Sequence, residues 1–74
     1  MSERIFTFDT THHALWAEDV AGERGIPAEV IAAPAESRAK CALALRTLPD
    51  RFSDLEGALS EEGVAFSVYP PRNA

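Results

Sequence analysis

The 74-residue sequence predicts an α+β fold of order βαββαβ, and two observations support it. Short runs of β-branched and aromatic residues, which are typical of strands, alternate with longer segments whose apolar residues recur at helical spacing. In addition, the segment 23–31 resembles the segment 61–69, since each has a helix end, a glycine, a hydrophobic residue and a strand. Two such βαβ units pack as a four-stranded antiparallel sheet with both helices on one face, the ferredoxin-like architecture. A small open α/β sheet of different strand order is the alternative.

The first half of the chain is predicted to hold one helix between two strands. The first strand covers about residues 4–8 and the second covers 28–33, with the helix at 12–24. Side-chain oxygens at 9–11 can cap the start of this helix, and Gly25 and Pro27 end it. Its predicted buried stripe consists of small and aliphatic residues: Ala14, Ala17, Val20 and Ala21.

The second half repeats this arrangement after a loop at 34–40. Strands are predicted at about 41–48 and 64–69, and the helix between them at 51–62, with Gly63 as its C-cap. The helix presents Phe52, Leu55 and Leu59 on one face, and the last strand alternates Val64, Phe66 and Val68 inward. No linker divides the sequence, so residues 1–74 are expected to form a single domain.

Composition and charge exclude several classes of protein. Hydrophobic residues make up 46% of the chain, which is enough for a packed core. The net charge of -5 argues against nucleic acid or an anionic membrane as a partner, and no apolar run is long enough to span a bilayer. A single cysteine without an export signal points to a reducing compartment. We therefore expect a cytoplasmic domain.

One face of the predicted sheet is left uncovered by the helices. We expect it to carry small or apolar residues such as Ala42, Ala44 and Ala65. A homodimer through this face is possible, and a solvated face without a partner is the alternative.

Cys41 is the main candidate for chemistry because it is the chain's one thiol. Arg38, Lys40 and Arg46 lie within five residues of it in sequence, and nearby cations favour the nucleophilic thiolate. A thiol at the start of a strand can also reach solvent from a flexible loop. The alternative is a small buried hydrophobe, since Cys41 shares a strand face with Leu43 and Leu45.

Other constellations carry less chemistry. His12 and His13 are adjacent on the predicted helix and point about 100° apart, so they cannot share one metal ion. The sequence has no phosphate-binding glycine loop and no catalytic triad arrangement. We therefore expect neither a metal site nor a cofactor.

Several of these residues together resemble the selenium/sulfur carrier protein-like family. They are the threonine-containing cap, Ala14-Leu15 with Ala17-Glu18, the turn Gly25-Ile26-Pro27, and Pro34 seven residues before Cys41-Ala42-Leu43-Ala44-Leu45. The resemblance extends from about residue 5 to residue 69. This chain departs from the family pattern in having Ala42 where glycine usually follows the cysteine, and Ala35 where arginine usually follows the proline.

The resemblance implies a carrier with no turnover of its own. Cys41 would hold sulfur or selenium as a persulfide or selenosulfide, and Arg38 and Lys40 would give electrostatic support to the anion. Its partners would be a donor and an acceptor protein. Two alternatives are a thiol redox sensor, and a non-catalytic interaction or small-ligand regulatory module in which Cys41 is a packing residue.

Overall fold

The computed structural model describes residues 4–70, and its elements follow the predicted βαββαβ order. Two short 3₁₀ turns, Ala35–Ser37 and Pro49–Arg51, lie in the connections before β3 and before α2. The strands and helices are β1 (Ile5–Thr7), α1 (Thr11–Glu23), β2 (Ala28–Ala32), β3 (Leu43–Thr47), α2 (Phe52–Glu62) and β4 (Ser67–Tyr69).

The four strands form one sheet in the order β2-β3-β1-β4, and each strand is antiparallel to its neighbours. Phe6 pairs with Leu45 on one side and with Val68 on the other, while Val30 pairs with Leu45 from the edge. The predicted ferredoxin-like fold is confirmed. The two consecutive strands β2 and β3 form a hairpin, so the loop between them lies at one end of the sheet.

Both helices pack their apolar residues against the same side of the sheet. Phe6 is fully buried and stacks on Phe52 with ring centroids 4.5 Å apart, while Phe66 meets the Phe6 ring edge-on at 5.2 Å. The predicted stripe of α1 and the predicted face of α2 are buried, and the inward alternation before and in β4 is confirmed. The core cluster includes Phe6, Ala14, Ala17, Val20, Ala21, Leu45, Phe52, Leu55, Leu59 and Val64.

The two helices end alike, as the internal repeat predicts. Gly25 and Gly63 have positive φ angles of 68° and 80°, a backbone conformation that favours glycine. In each case the next residue, Ile26 or Val64, is buried and donates its backbone N–H to the preceding helix. Arg24 joins the two helix ends through ion pairs with Glu61 and Glu62, which raise the pKa of its guanidinium.

The strand bounds differ from the sequence prediction mainly at β3 and β4. Strand β3 begins at Leu43 and not at Cys41, because residues 41 and 42 form a bend that ties Cys41 to the end of β1. Strand β4 begins at Ser67 and not at residue 64, although Val64 and Phe66 still pack inward. Helix α1 starts one residue early, at Thr11, because Thr10 caps it.

The face of the sheet away from the helices carries more than exposed alanines. Ala44 lies on this face opposite Thr7, and both residues are buried by their neighbours. Ala65 was expected on this face of the sheet, but it is exposed and lies before β4 begins. A homodimer through this face stays a prediction. Within residues 4–70, neither helix is long and apolar enough to cross a membrane.

Candidate functional site

The site is built around Cys41, which lies at the end of the sheet where β1 finishes and α1 begins. The backbone N–H of Cys41 donates to the carbonyl oxygen of Phe8 at 3.2 Å. One residue further along, the Ala42 carbonyl accepts the N–H of Ala33 at 2.8 Å. These bonds hold both sides of the bend, so the position of the thiol is set by β1 and β2 together.

Two polar groups contact the sulfur. The backbone N–H of Leu43 donates to Cys41 Sγ at 3.3 Å, and the hydroxyl of Thr11 lies 3.6 Å from it. Thr11 is the first residue of α1, so the sulfur lies beside a helix N-terminus, where the helix dipole favours negative charge. The sulfur therefore lies within reach of a backbone N–H donor, a side-chain hydroxyl and the first turn of α1.

The sequence reasoning did not identify either of these contacts. The threonines before α1 were expected only to cap the helix, and Thr10 does so by accepting the N–H of His13 at 3.1 Å. Thr11, the next residue, reaches the sulfur across the fold. A second hydroxyl beside the cap is a weak signal, because capping segments often contain more than one threonine or serine.

Cys41 is also nearly buried, with 5% of its surface exposed. It belongs to the core cluster that includes Phe8 and Ala14. The expectation that a thiol at the start of a strand reaches solvent is wrong for this residue in the observed conformation. The reason is the bend at residues 41 and 42, which turns the side chain toward α1 and the core.

The two cations predicted to support the thiol lie in the loop before it. Arg38 and Lys40 are both exposed, and neither is within hydrogen-bonding distance of Sγ. Arg38 adopts the left-handed conformation, with φ at 55°, where the 3₁₀ turn ends. The third nearby cation, Arg46, pairs with Glu29 further along the sheet.

The loop is held mainly by bonds within itself. Ser37 Oγ donates to the Pro34 carbonyl at 2.7 Å and accepts the N–H of Ala39 at 3.3 Å. The N–H of Arg38 donates to the carbonyl oxygen of Ala35 at 3.2 Å. These short-range bonds give the loop a shape of its own.

His12 and His13, the residues considered for a metal site, lie in the first turn of α1. Across residues 4–70, no three His, Cys, Asp or Glu side chains gather as a metal ion requires. The ring of His13 bonds to the Thr10 hydroxyl at 2.7 Å and stacks near Trp16. A shallow depression lined by residues 27–29 and 46–48 lies at the opposite end of the sheet from Cys41.

The comparisons with known proteins bear on this site. The family model described as "Putative Se/S carrier protein-like" matches residues 3–70, which include Cys41, its loop and Thr11. Neither the curated proteins nor the solved structures gave a match.

Proposed function

This chain belongs to the Se/S carrier protein-like family, and on that premise we propose that Cys41 carries one sulfur or selenium atom from a donor protein to an acceptor. The observation that carries the proposal is the contact of the chain's one thiol with a backbone N–H and with a hydroxyl at a helix N-terminus. Both contacts suit an anionic chalcogen, and both lie within the residues that the family model matches.

The exchange needs no outside oxidant. The Cys41 thiolate attacks the terminal sulfur of a donor persulfide, forming the Cys41 S–S bond and releasing the donor's thiolate. An acceptor thiolate then attacks the terminal sulfur of the Cys41 persulfide, and Cys41 leaves as a thiolate. The transferred sulfur keeps its oxidation state throughout. Selenium follows the same steps if the donor presents it in the corresponding selenosulfide.

The residues around the sulfur have separate roles in this proposal. Thr11 and the N–H of Leu43 stabilise the thiolate on Cys41 before loading and again when Cys41 leaves after transfer. Arg38 and Lys40 add positive potential from the solvent side of the loop. Ala42, which stands where the family usually has glycine, allows less backbone freedom next to the sulfur. We infer that the exchange takes place in a reducing compartment such as the cytoplasm, where a lone thiol stays reduced.

Loading requires the thiol of Cys41 to become accessible. Because only 5% of the surface of Cys41 is exposed, a donor persulfide cannot approach Sγ for in-line attack in the observed conformation. We infer that the loop at 34–40 is the segment that is displaced, because it leads directly into Cys41 and its hydrogen bonds are mostly internal. We therefore expect Cys41, which is exposed only when the site opens, to react with alkylating agents more slowly than a permanently exposed thiol does.

The same burial favours a second candidate function. In this alternative Cys41 is a packing residue, and the domain is an interaction or small-ligand module without chalcogen chemistry. Replacing Cys41 with alanine would then lower the free energy of unfolding by about 1 kcal/mol and leave partner binding unchanged.

The test is the intact mass of the protein after incubation with a cysteine desulfurase and free cysteine. A parallel incubation uses selenite with excess glutathione. The carrier proposal expects a gain of one sulfur or selenium atom that a reducing agent removes, and no gain in Cys41→Ser. Serine keeps a polar group of similar size for Thr11 and Leu43 to contact, so this variant is expected to fold. No gain in the wild type, together with a thiol that resists alkylation, would favour the packing alternative.

A further inference from the structure

The cations of the described residues fall into two groups according to their partners. Three arginines are in ion pairs with carboxylates, and the Arg4 guanidinium lies 5.8 Å from the centroid of the Phe52 ring. By contrast, Arg38 and Lys40 have no carboxylate within ion-pairing distance among residues 4–70. The paired arginines are Arg24 with Glu61 and Glu62, Arg46 with Glu29, and Arg51 with Asp54.

Arg38 and Lys40, which have no ion-pair partner among residues 4–70, lie two positions apart in one loop of an acidic protein. The chain has a net charge of -5, whereas the loop at 34–40 carries two cations against the one carboxylate of Glu36 and is therefore locally positive. Its backbone is held by the Ser37 bonds to Pro34 and Ala39, while both basic side chains are exposed. An incoming carboxylate can bind these cations without first breaking an internal ion pair.

We propose that Arg38 and Lys40 form the docking element for an acidic surface that surrounds the reactive sulfur of the partner protein. This inference rests on the proposed function, because it names the surface chemistry of the protein that exchanges sulfur or selenium with Cys41. The loop leads directly into Cys41, so a partner that delivers sulfur or selenium to this thiol approaches close to Arg38 and Lys40. Charge complementarity at that contact orients the encounter and raises its rate.

The charge distribution favours an acidic protein patch over a nucleic acid. A nucleic acid carries negative charge along its whole length, so its phosphates beyond the loop would meet the acidic remainder of this chain. A protein can match a basic loop with a local group of carboxylates and present neutral or basic residues elsewhere. The negative chain then restricts binding to the correct orientation.

The experiment compares two peptides of equal length, each with one cysteine activated as a mixed disulfide with thiopyridine. Glutamates flank the cysteine in one peptide and lysines flank it in the other. The Cys41 thiolate attacks the peptide sulfur, the peptide disulfide breaks, and the released thiopyridine is followed by its absorbance. We expect the wild type to react roughly fivefold faster with the acidic peptide at low salt, and this ratio to fall as salt is added.

The ratio of the two rates cancels any change in the intrinsic reactivity of the thiol. Arg38→Gln/Lys40→Gln should bring the ratio close to one or below it. The matched control is Arg24→Gln/Arg51→Gln, which also removes two positive charges but takes them from arginines in ion pairs outside the loop. It should keep the wild-type preference. Equal rates in the wild type, equal loss in both double variants, or no reaction with either peptide would each overturn the proposal.

Two further outcomes separate this inference from its alternatives. In a competition experiment, a short oligonucleotide and a cysteine-free acidic peptide are each added to the acidic-peptide reaction at equal charge concentration. Suppression by the oligonucleotide alone would assign the loop to nucleic acid and overturn the proposal. Failure of the carrier function is seen separately, as the absence of sulfur or selenium loading in the mass experiment. A preference for the acidic peptide without loading would retain the docking element and remove the carrier role.

Discussion

The two helices begin at opposite ends of the sheet, and their N-termini differ although the two halves of the chain are repeats. Helix α1 begins after Thr10, whose side chain caps it, and its first residue contacts the thiol. Helix α2 begins after the 3₁₀ turn Pro49–Arg51, and its N-cap Arg51 makes no side-chain cap bond. Strands β1 and β3 run antiparallel, which places these two helix starts far apart.

The comparison shows where the repeat is structural and where it is specialised. At their C-termini the helices use the same device, a glycine with positive φ followed by a buried hydrophobic residue. At their N-termini only α1 has a threonine pair, one hydroxyl for the backbone and one for the sulfur of Cys41. The glycine-capped C-termini, which both halves have in common, therefore stabilise the fold. The N-terminus of α1, which differs from that of α2, contributes to the candidate site.

The largest expected effect comes from removing a residue on which both halves depend. Phe6→Ala deletes the ring that stacks on Phe52 and meets Phe66, so it should lower the free energy of unfolding by about 3–5 kcal/mol. Chemical denaturation measures this loss, and Leu15→Ala, at a residue that is 48% exposed, is the control with little change. A loss below about 1 kcal/mol would mean that the two halves do not share one core.

A smaller effect is expected at the sulfur. Thr11→Val keeps the shape of the side chain and removes its hydroxyl, so the rate of Cys41 alkylation at neutral pH should fall by up to about tenfold. Thr11→Ser should restore the rate. Ser53 offers a hydroxyl in the first turn of α2 as the control, and Ser53→Ala should leave alkylation unchanged. If Thr11→Val and wild type react at the same rate and show the same thiolate absorbance, the hydroxyl does not act on the sulfur.

The smallest effect sharpens the contrast between the two helix starts. Thr10→Ala removes the cap of α1 and should cost about 1 kcal/mol of stability. Arg51→Ala, at the corresponding position of α2, removes one exposed ion pair with Asp54 and should cost about 0.5 kcal/mol or less. Thermal unfolding of both variants gives the comparison. Equal losses would show that the side-chain cap at Thr10 contributes nothing specific.

Much of the fold was accessible from local patterns in the sequence. The order of the elements follows from short-range periodicity and from Gly25 and Gly63, because these depend on neighbours within one helix turn or one strand. The prediction was wrong at the start of β3, where Cys41 was expected as the first residue of the strand and the strand begins at Leu43. The hydrogen bond from Cys41 to Phe8 joins residues far apart in sequence, and no local pattern reports such a contact.

By itself, the sequence determined the α+β class, the internal repeat, the apolar faces of both helices and the choice of Cys41 as the candidate. These properties depend on which side chains recur at which spacing. Tertiary structure alone decided that Cys41 is buried and that Thr11 and the N–H of Leu43 contact its sulfur. It also decided that Arg38 and Lys40 face solvent without an ion-pair partner among residues 4–70. The physical reason is that burial and hydrogen bonding at this site arise where β1, the β2–β3 loop and the start of α1 meet, and that meeting exists only in the folded chain.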